Sequence, residues 1–141
     1  MAIRQLSIFV ENKKGSLHEI TDTLAGAGIN LRSMCVADTS NYGIVRIIAD
    51  DPVGAKDLLD KEGHAANVRM VNAFAVPDQP GGLAKVLSLL EGCGVNIEYM
   101  YALITSESGK AYSVMRTGDT EETDKSLVEN GIELLDESKL H

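Results

Sequence analysis

A unit of about 70 residues is written twice in this chain, and that repetition limits the available folds more than any other feature. At a fixed offset of 66, Gly15 matches Gly81, Leu17 matches Leu83, Leu24 matches Leu90, Gly26 matches Gly92, Gly28 matches Gly94, Asn30 matches Asn96 and Met34 matches Met100. Ile20 with Val86, Ile29 with Val95 and Leu31 with Ile97 fill in conservatively between them. The 141 residues therefore divide into one module over 1–68 and a second over 69–141. Either alone would be marginal in stability, so two packed modules, and a homodimer beyond that, are the expected stable form.

Each module reads β-α-β-β-α-β. In the first, Leu6, Ile8 and Val10 alternate with Gln5 and Ser7 as in a half-buried strand. Leu17, Ile20, Leu24 and Ala27 then recur at helical spacing, with Ser16 as candidate cap and Gly26 and Gly28 as the stop. A strand through Ala37, a polar hairpin at Asp38 to Asn41 and a strand from Tyr42 to Ala49 follow. Asp51-Pro52 is a helix start, with Asp as N-cap and Pro at the first helical position. Only about 14 residues then separate Gly63 from Pro77. They predict either one long strand shared by two sheets or a tight jog between adjacent strands, with Asn67 and Asn72 as the residues able to bend the chain. The second module repeats the order, with a hairpin at Ser106 to Lys110 and a last strand near Ile132 to Leu135. This is the split βαβ, ferredoxin-like arrangement of the α+β class: two antiparallel sheets, each with helices on one face. The opposite face calls for polar residues, a partner module or a second chain.

The chemistry concentrates in the repeated turn, Glu11-Asn12-Lys13-Lys14-Gly15-Ser16-Leu17 and Pro77-Asp78-Gln79-Pro80-Gly81-Gly82-Leu83. The glycines let a ligand approach the backbone, and the amides after them are the open donors of a helix N-terminus, where a carboxylate fits without a cationic side chain. The same glycines also suit a sharp strand-to-helix turn with no ligand. Asn30 and Asn96 open the second strand of each module, a place where a β-branched residue is preferred. Their amides can hold the ammonium or carboxylate of an amino acid, or bond their own backbone.

Other functions find little support. The formal net charge of -8, with Lys13-Lys14 as the one adjacent basic pair, speaks against a nucleic-acid partner. No apolar run approaches the roughly 18 residues of a membrane helix, and no secretory signal pattern opens the chain, so no membrane and a cytoplasmic setting are expected. Cys35 and Cys93 read as small buried apolar residues, and Met34 and Met100 as core or interface residues. His18, His64 and His141 have no acidic or Cys neighbour at ligand spacing, and neither Ser16 nor Ser113 has a hydrolase context. No metal and no cofactor are called for, and the pattern is that of a binder rather than an enzyme.

Together the β-α-β-β-α-β order, Asp78-Gln79-Pro80-Gly81-Gly82-Leu83, the amphipathic helix and Gly94-Val95-Asn96-Ile97 resemble the ACT domain, the regulatory module of many amino-acid metabolic enzymes. The resemblance covers nearly the whole chain as a tandem pair. It implies allosteric binding of an amino acid at an interface between modules or subunits, and control of a separate metabolic enzyme. In serine-responsive members, an Asn in the turn and the Asn opening the second strand hold the ligand; the matching positions are Asn12 with Asn30, and Asp78 with Asn96. The implied ligand set is thus Asn12, Gly15, Ser16, Leu17 and Asn30 in module one, and Asp78, Gly81, Gly82, Leu83 and Asn96 in module two. Lys13-Lys14 departs from the family pattern, which predicts a looser first turn and unequal sites, with the Asp78 to Leu83 copy the better ligand site. The alternative is a regulatory or adaptor subunit acting through protein contacts alone.

Overall fold

The computed structural model describes residues 2–38, 41–104 and 109–140, so the expected tips of the two hairpins, at 39–40 and 105–108, lie outside the described residues. The chain forms two compact units, essentially Arg4–Arg69 and Met70–Lys139, with Ile3 counted in the second and Leu140 in the first.

In the N-terminal unit the elements are β1 (Ile3–Glu11), α1 (Ser16–Gly26), β2 (Leu31–Asp38), β3 (Tyr42–Ala49) and α2 (Pro52–Lys61). Strand β3 lies between β1 and β2 and is antiparallel to both, with Leu6 opposite Ile47 and Met34 also opposite Ile47. The alternating residues Leu6, Ile8, Val45 and Ile47 are fully buried with Ile20 and Leu24 of α1 and Ala55 and Leu59 of α2. Asp51 caps α2 by accepting from the Gly54 amide at 3.0 Å, and Pro52 follows it, as its sequence position demands.

Strand β4 (Ala66–Pro77) is one continuous strand of twelve residues, which resolves the choice between a shared strand and a jog. Neither Asn67 nor Asn72 bends it. The C-terminal unit continues with α3 (Gly82–Gly92), β5 (Ile97–Leu103), β6 (Lys110–Thr117) and α4 (Thr120–Glu129). Its strand order is β4-β6-β5, all antiparallel, with Asn72 and Met100 both opposite Met115. Leu6 becomes Asn72 at offset 66, and Ile47 becomes Met115 at offset 68. The two registers are therefore superimposable once the longer second hairpin is counted. Phe74, Val76, Val86, Leu90, Met115 and Leu127 form this unit's core.

The last strand expected near Ile132 to Leu135 is reduced to a single antiparallel bridge between Phe74 and Leu134. Two backbone bonds hold it, Ala75 N–H to Glu133 O and Leu135 N–H to Ala73 O, both at 2.9 Å. Beyond it Asp136 accepts from the Ser138 amide at 3.0 Å and starts a 3-10 turn at Glu137–Leu140, so the chain stops pairing.

Candidate functional site

The two strand-to-helix turns have one conformation. Gly15 and Gly81 take left-handed φ values of 89° and 82° at the N-cap positions of α1 and α3, where a side chain would be strained. In the first turn Lys13 N–H donates to Glu11 O at 2.9 Å and Ser16 N–H to Lys13 O at 3.3 Å; in the second Gln79 N–H donates to Pro77 O at 2.9 Å and Gly82 N–H to Gln79 O at 3.0 Å. Lys13-Lys14 thus does not loosen the first turn, contrary to expectation, because backbone bonds close it and the side chains point to solvent. Ser16 is the first helical residue and not the cap. Neither helix has a side-chain cap, which leaves the Leu17 and His18 amides and the Leu83 and Ala84 amides open to an acceptor.

Asn30 and Asn96 are both exposed and stand just before β2 and β5. Neither side chain makes a hydrogen bond among the described residues. Asn30 is held by its backbone, donating to Asp50 Oδ1 and accepting from the Asp50 amide, each at 3.0 Å. Within a unit, the turn and the Asn lie at opposite ends of an eleven-residue helix, some 16 Å apart at 1.5 Å per residue. The residues of each turn, Asn12 with Gly15 to Leu17 and Asp78 with Gly81 to Leu83, come together, but neither turn meets its own unit's Asn. One unit cannot close the pocket pictured from the sequence.

Three clefts stand out among the described residues. The first, of about 480 Å³ in the C-terminal unit, lies between the start of β5 and α4, and is lined by Asn96, Glu98, Asp119 and Glu122. Its floor includes Thr117 and Thr123, members of a buried polar network. Asn72 donates to Thr120 O at 2.9 Å and Asp124 Oδ1 at 2.7 Å, Thr117 donates to Asn72 Oδ1 at 2.9 Å, and the Thr117 and Thr123 hydroxyls lie 3.0 Å apart. The second cleft, about 230 Å³ in the N-terminal unit, is lined by Phe9, Lys13, Ser16, Glu19 and His64. His64 Nε2 lies 3.5 Å from Glu19 Oε1 there. The third, about 410 Å³, lies beside the second turn and is lined by Ala75, Gly82, Lys85, Val86, Ile132 and Glu133. Of the ten expected ligand residues, Ser16, Gly82 and Asn96 line clefts; the other seven are in none of these three.

Sequence reasoning missed His64, Lys85 and Glu133, and the buried Asn72, Thr117 and Thr123. Position-by-position comparison of the two modules, at offset 66 before the hairpins and 68 past them, is the signal that would have found them. Cys93 is exposed and Cys35 half-buried, both free thiols; Cys93 follows the last residue of α3 and so lies off its core face. No group of three His, Cys, Asp or Glu side chains is placed to hold a metal among the described residues, and no described helix is long and apolar enough to cross a membrane.

A ferredoxin-like unit present twice defines the fold class, and the first helix of each copy starts without a side-chain cap. The sequence profile of the ACT domain pair matches residues 1–141, and the chain belongs to that family. Among solved structures, protein BT0572 from Bacteroides thetaiotaomicron is similar over 96% of this chain and 92% of that one, at 40% identity and a TM-score of 0.89. The ligand-free regulatory subunit of aspartate kinase from Thermus thermophilus covers 89% of this chain and 91% of its own at 14% identity, TM-score 0.67. That of Thermus flavus covers 89% and 90% at 15% identity, TM-score 0.62. The aspartate kinase subunits share the fold. The chain has no match among curated proteins.

Proposed function

We propose that this protein is a non-catalytic regulatory protein that binds an amino acid and thereby modulates a separate metabolic enzyme. The observation that carries this reading is the pair of uncapped turns at Gly15 and Gly81, each offering two open amides to a carboxylate. Asn30 and Asn96, exposed and without side-chain bonds among the described residues, supply the complementary amide. Since a turn and its own unit's Asn stand a helix length apart, a ligand that engages both needs a second unit, and a homodimer is part of the proposal. Family membership and the regulatory subunits among the structural neighbours support it.

Calorimetry of the intact protein against the twenty amino acids tests the reading. One or a few should bind, and a saturating ligand at 100 times its dissociation constant should stabilise the fold by about 2.7 kcal/mol. Asn96→Ala should remove the response without unfolding the protein. Twenty flat titrations of well-folded protein would sink the idea.

A second reading, an adaptor that acts through protein contacts alone, is favoured by exposed apolar side chains on the outer strand β2 and its neighbours. Met34 is 41% exposed and Val36 43% on one face of the sheet, and Tyr42 58% and Phe9 61% on the other, apolar side chains of the kind a protein contact covers.

A further inference from the structure

The second and third clefts occupy the same place in the two units and have opposite chemistry. Phe9 corresponds to Ala75, Ser16 to Gly82 and Glu19 to Lys85 at offset 66, and His64 to Ile132 at offset 68. In the N-terminal cleft His64 Nε2 lies 3.5 Å from Glu19 Oε1 across the opening, while the Phe9 side chain, alternating with Ile8 and Val10, is turned to the other face of β1. Glu11 and Glu19 there outnumber Lys13, which is itself paired to Glu11 at 3.3 Å. In the C-terminal cleft the volume rises from about 230 to about 410 Å³. Its walls are Val76 and Val86, 5% and 4% exposed, with half-buried Leu89 and Ile132. Lys85 and Lys110 line it with one carboxylate, Glu133, which Lys110 engages at 2.9 Å and Lys139 at 3.7 Å. Lys85 makes no ion pair among the described residues. One positive charge is left over at the rim of an apolar hollow, on a chain whose net charge is -8.

We propose that the C-terminal cleft between the β4–α3 turn and the segment after α4 is a small-molecule site for a carboxylate with an aliphatic tail. Lys85 meets the carboxylate, and Val76, Val86, Leu89 and Ile132 take the tail. The matching N-terminal cleft excludes such a ligand by volume and by charge, so the chain carries one such site and not two. The site shares none of the open turn amides or the asparagines, so it stands or falls apart from the reading above. Leucine and its α-keto acid share the required carboxylate and tail, and differ in whether an ammonium is needed.

Calorimetric titration of the intact protein with leucine and with its α-keto acid tests this, with glutamate and lysine as polarity controls. One of the two aliphatic ligands should bind at one site per chain, and glutamate and lysine should not. Lys85→Glu should weaken binding about tenfold or more, and Lys125→Glu, the same charge reversal away from the cleft, should leave it unchanged. Lys85 is exposed, so its variant folds and decides the matter. Failure of both aliphatic ligands to bind, or equal loss from Lys85→Glu and Lys125→Glu, overturns the proposal. An amino-acid response that Asn96→Ala abolishes and Lys85→Glu spares also overturns the cleft and keeps the amino-acid sensor. Binding of the keto acid alone does the reverse.

Discussion

The two units reach the same register with different cores. In the N-terminal unit Leu6, Ala49 and Ala55 meet as apolar side chains, none more than 1% exposed. At the matching places of the C-terminal unit stand Asn72, Thr117 and Thr123, exposed 0%, 1% and 2%. The strand pairing is unchanged, Leu6 opposite Ile47 in one and Asn72 opposite Met115 in the other. Burial of a polar group costs little only when its partners are all present. Here they are: the Asn72 amide donates to Thr120 O and Asp124, its oxygen accepts from Thr117, and Thr123 donates to Asp119 O at 2.8 Å. Hydrogen bonds thus dock the N-terminal end of α4, where in α2 Pro52 and Ala55 are simply buried. The three positions are interchangeable between units as a set and not singly.

The largest expected effect comes from breaking the set. Leu6→Asn places an unpartnered amide in an apolar core and should destabilise by about 4 kcal/mol. Asn72→Leu removes the acceptor of the Thr117 hydroxyl and the donor to Asp124 Oδ1 and should cost about 2 kcal/mol. Asn72→Leu combined with Thr117→Ala and Thr123→Ala imports the whole apolar set and should return to within about 1 kcal/mol of the starting protein. Urea unfolding followed by far-ultraviolet circular dichroism measures all three. A triple variant no more stable than Asn72→Leu alone would show that the two cores are not equivalent.

A smaller effect separates the two turns. A Cβ on Gly82 would stand 2.1 Å from Pro77 O, whereas its counterpart in the other unit is Ser16. Backbone must move to admit the side chain, so Gly82→Ser should cost about 2 kcal/mol. Ser16→Gly only adds chain freedom, at about 0.5–1 kcal/mol. Thermal melts of the two variants give the asymmetry directly, and equal losses would mean that Pro77 yields as readily as Glu11.

Much of this was legible from the chain alone. The ACT-like class, the helices and the glycine turns follow from identities at one offset, and Asp51-Pro52 announced its cap. The offset changes from 66 to 68 after the hairpins, and past that point the comparison of modules fell out of step. That hid the pairing of Ala49 with Thr117, of Ala55 with Thr123 and of His64 with Ile132. Asn72 read as a bend because a buried strand Asn is costly alone, and its partners come from 45 or more residues away. The distance between Gly81 and Asn96 was calculable from helix rise, yet proximity in sequence and a shared motif suggested one pocket. The last strand looked regular through Leu135, and only the Asp136 turn shows why pairing ends.

The smallest expected difference concerns acid. Asp60, near the end of α2, accepts from the Lys56 ammonium one turn earlier and from the Ala66 amide at 3.2 Å, and Lys56 also reaches Ala66 O at 3.0 Å. This clasp ties the helix to the start of β4; at the matching position the C-terminal unit has Val128, which cannot form it. The Lys56 hydrogen bond first, and the Ala66 amide second, hold the Asp60 carboxyl below its ordinary 3.8. A depressed folded value means that the contribution is complete above 3.8 and is lost as pH falls through the lower folded value. The pair is solvent-exposed, so its effect on stability is slight and is best read at the residue. Nuclear magnetic resonance titration of the Asp60 carboxyl carbon should give a midpoint below 3.8, and Lys56→Met should move it upward. An unmoved midpoint would transfer the cause to the Ala66 amide, and the clasp would then be a backbone device that Val128 alone forbids in the second unit.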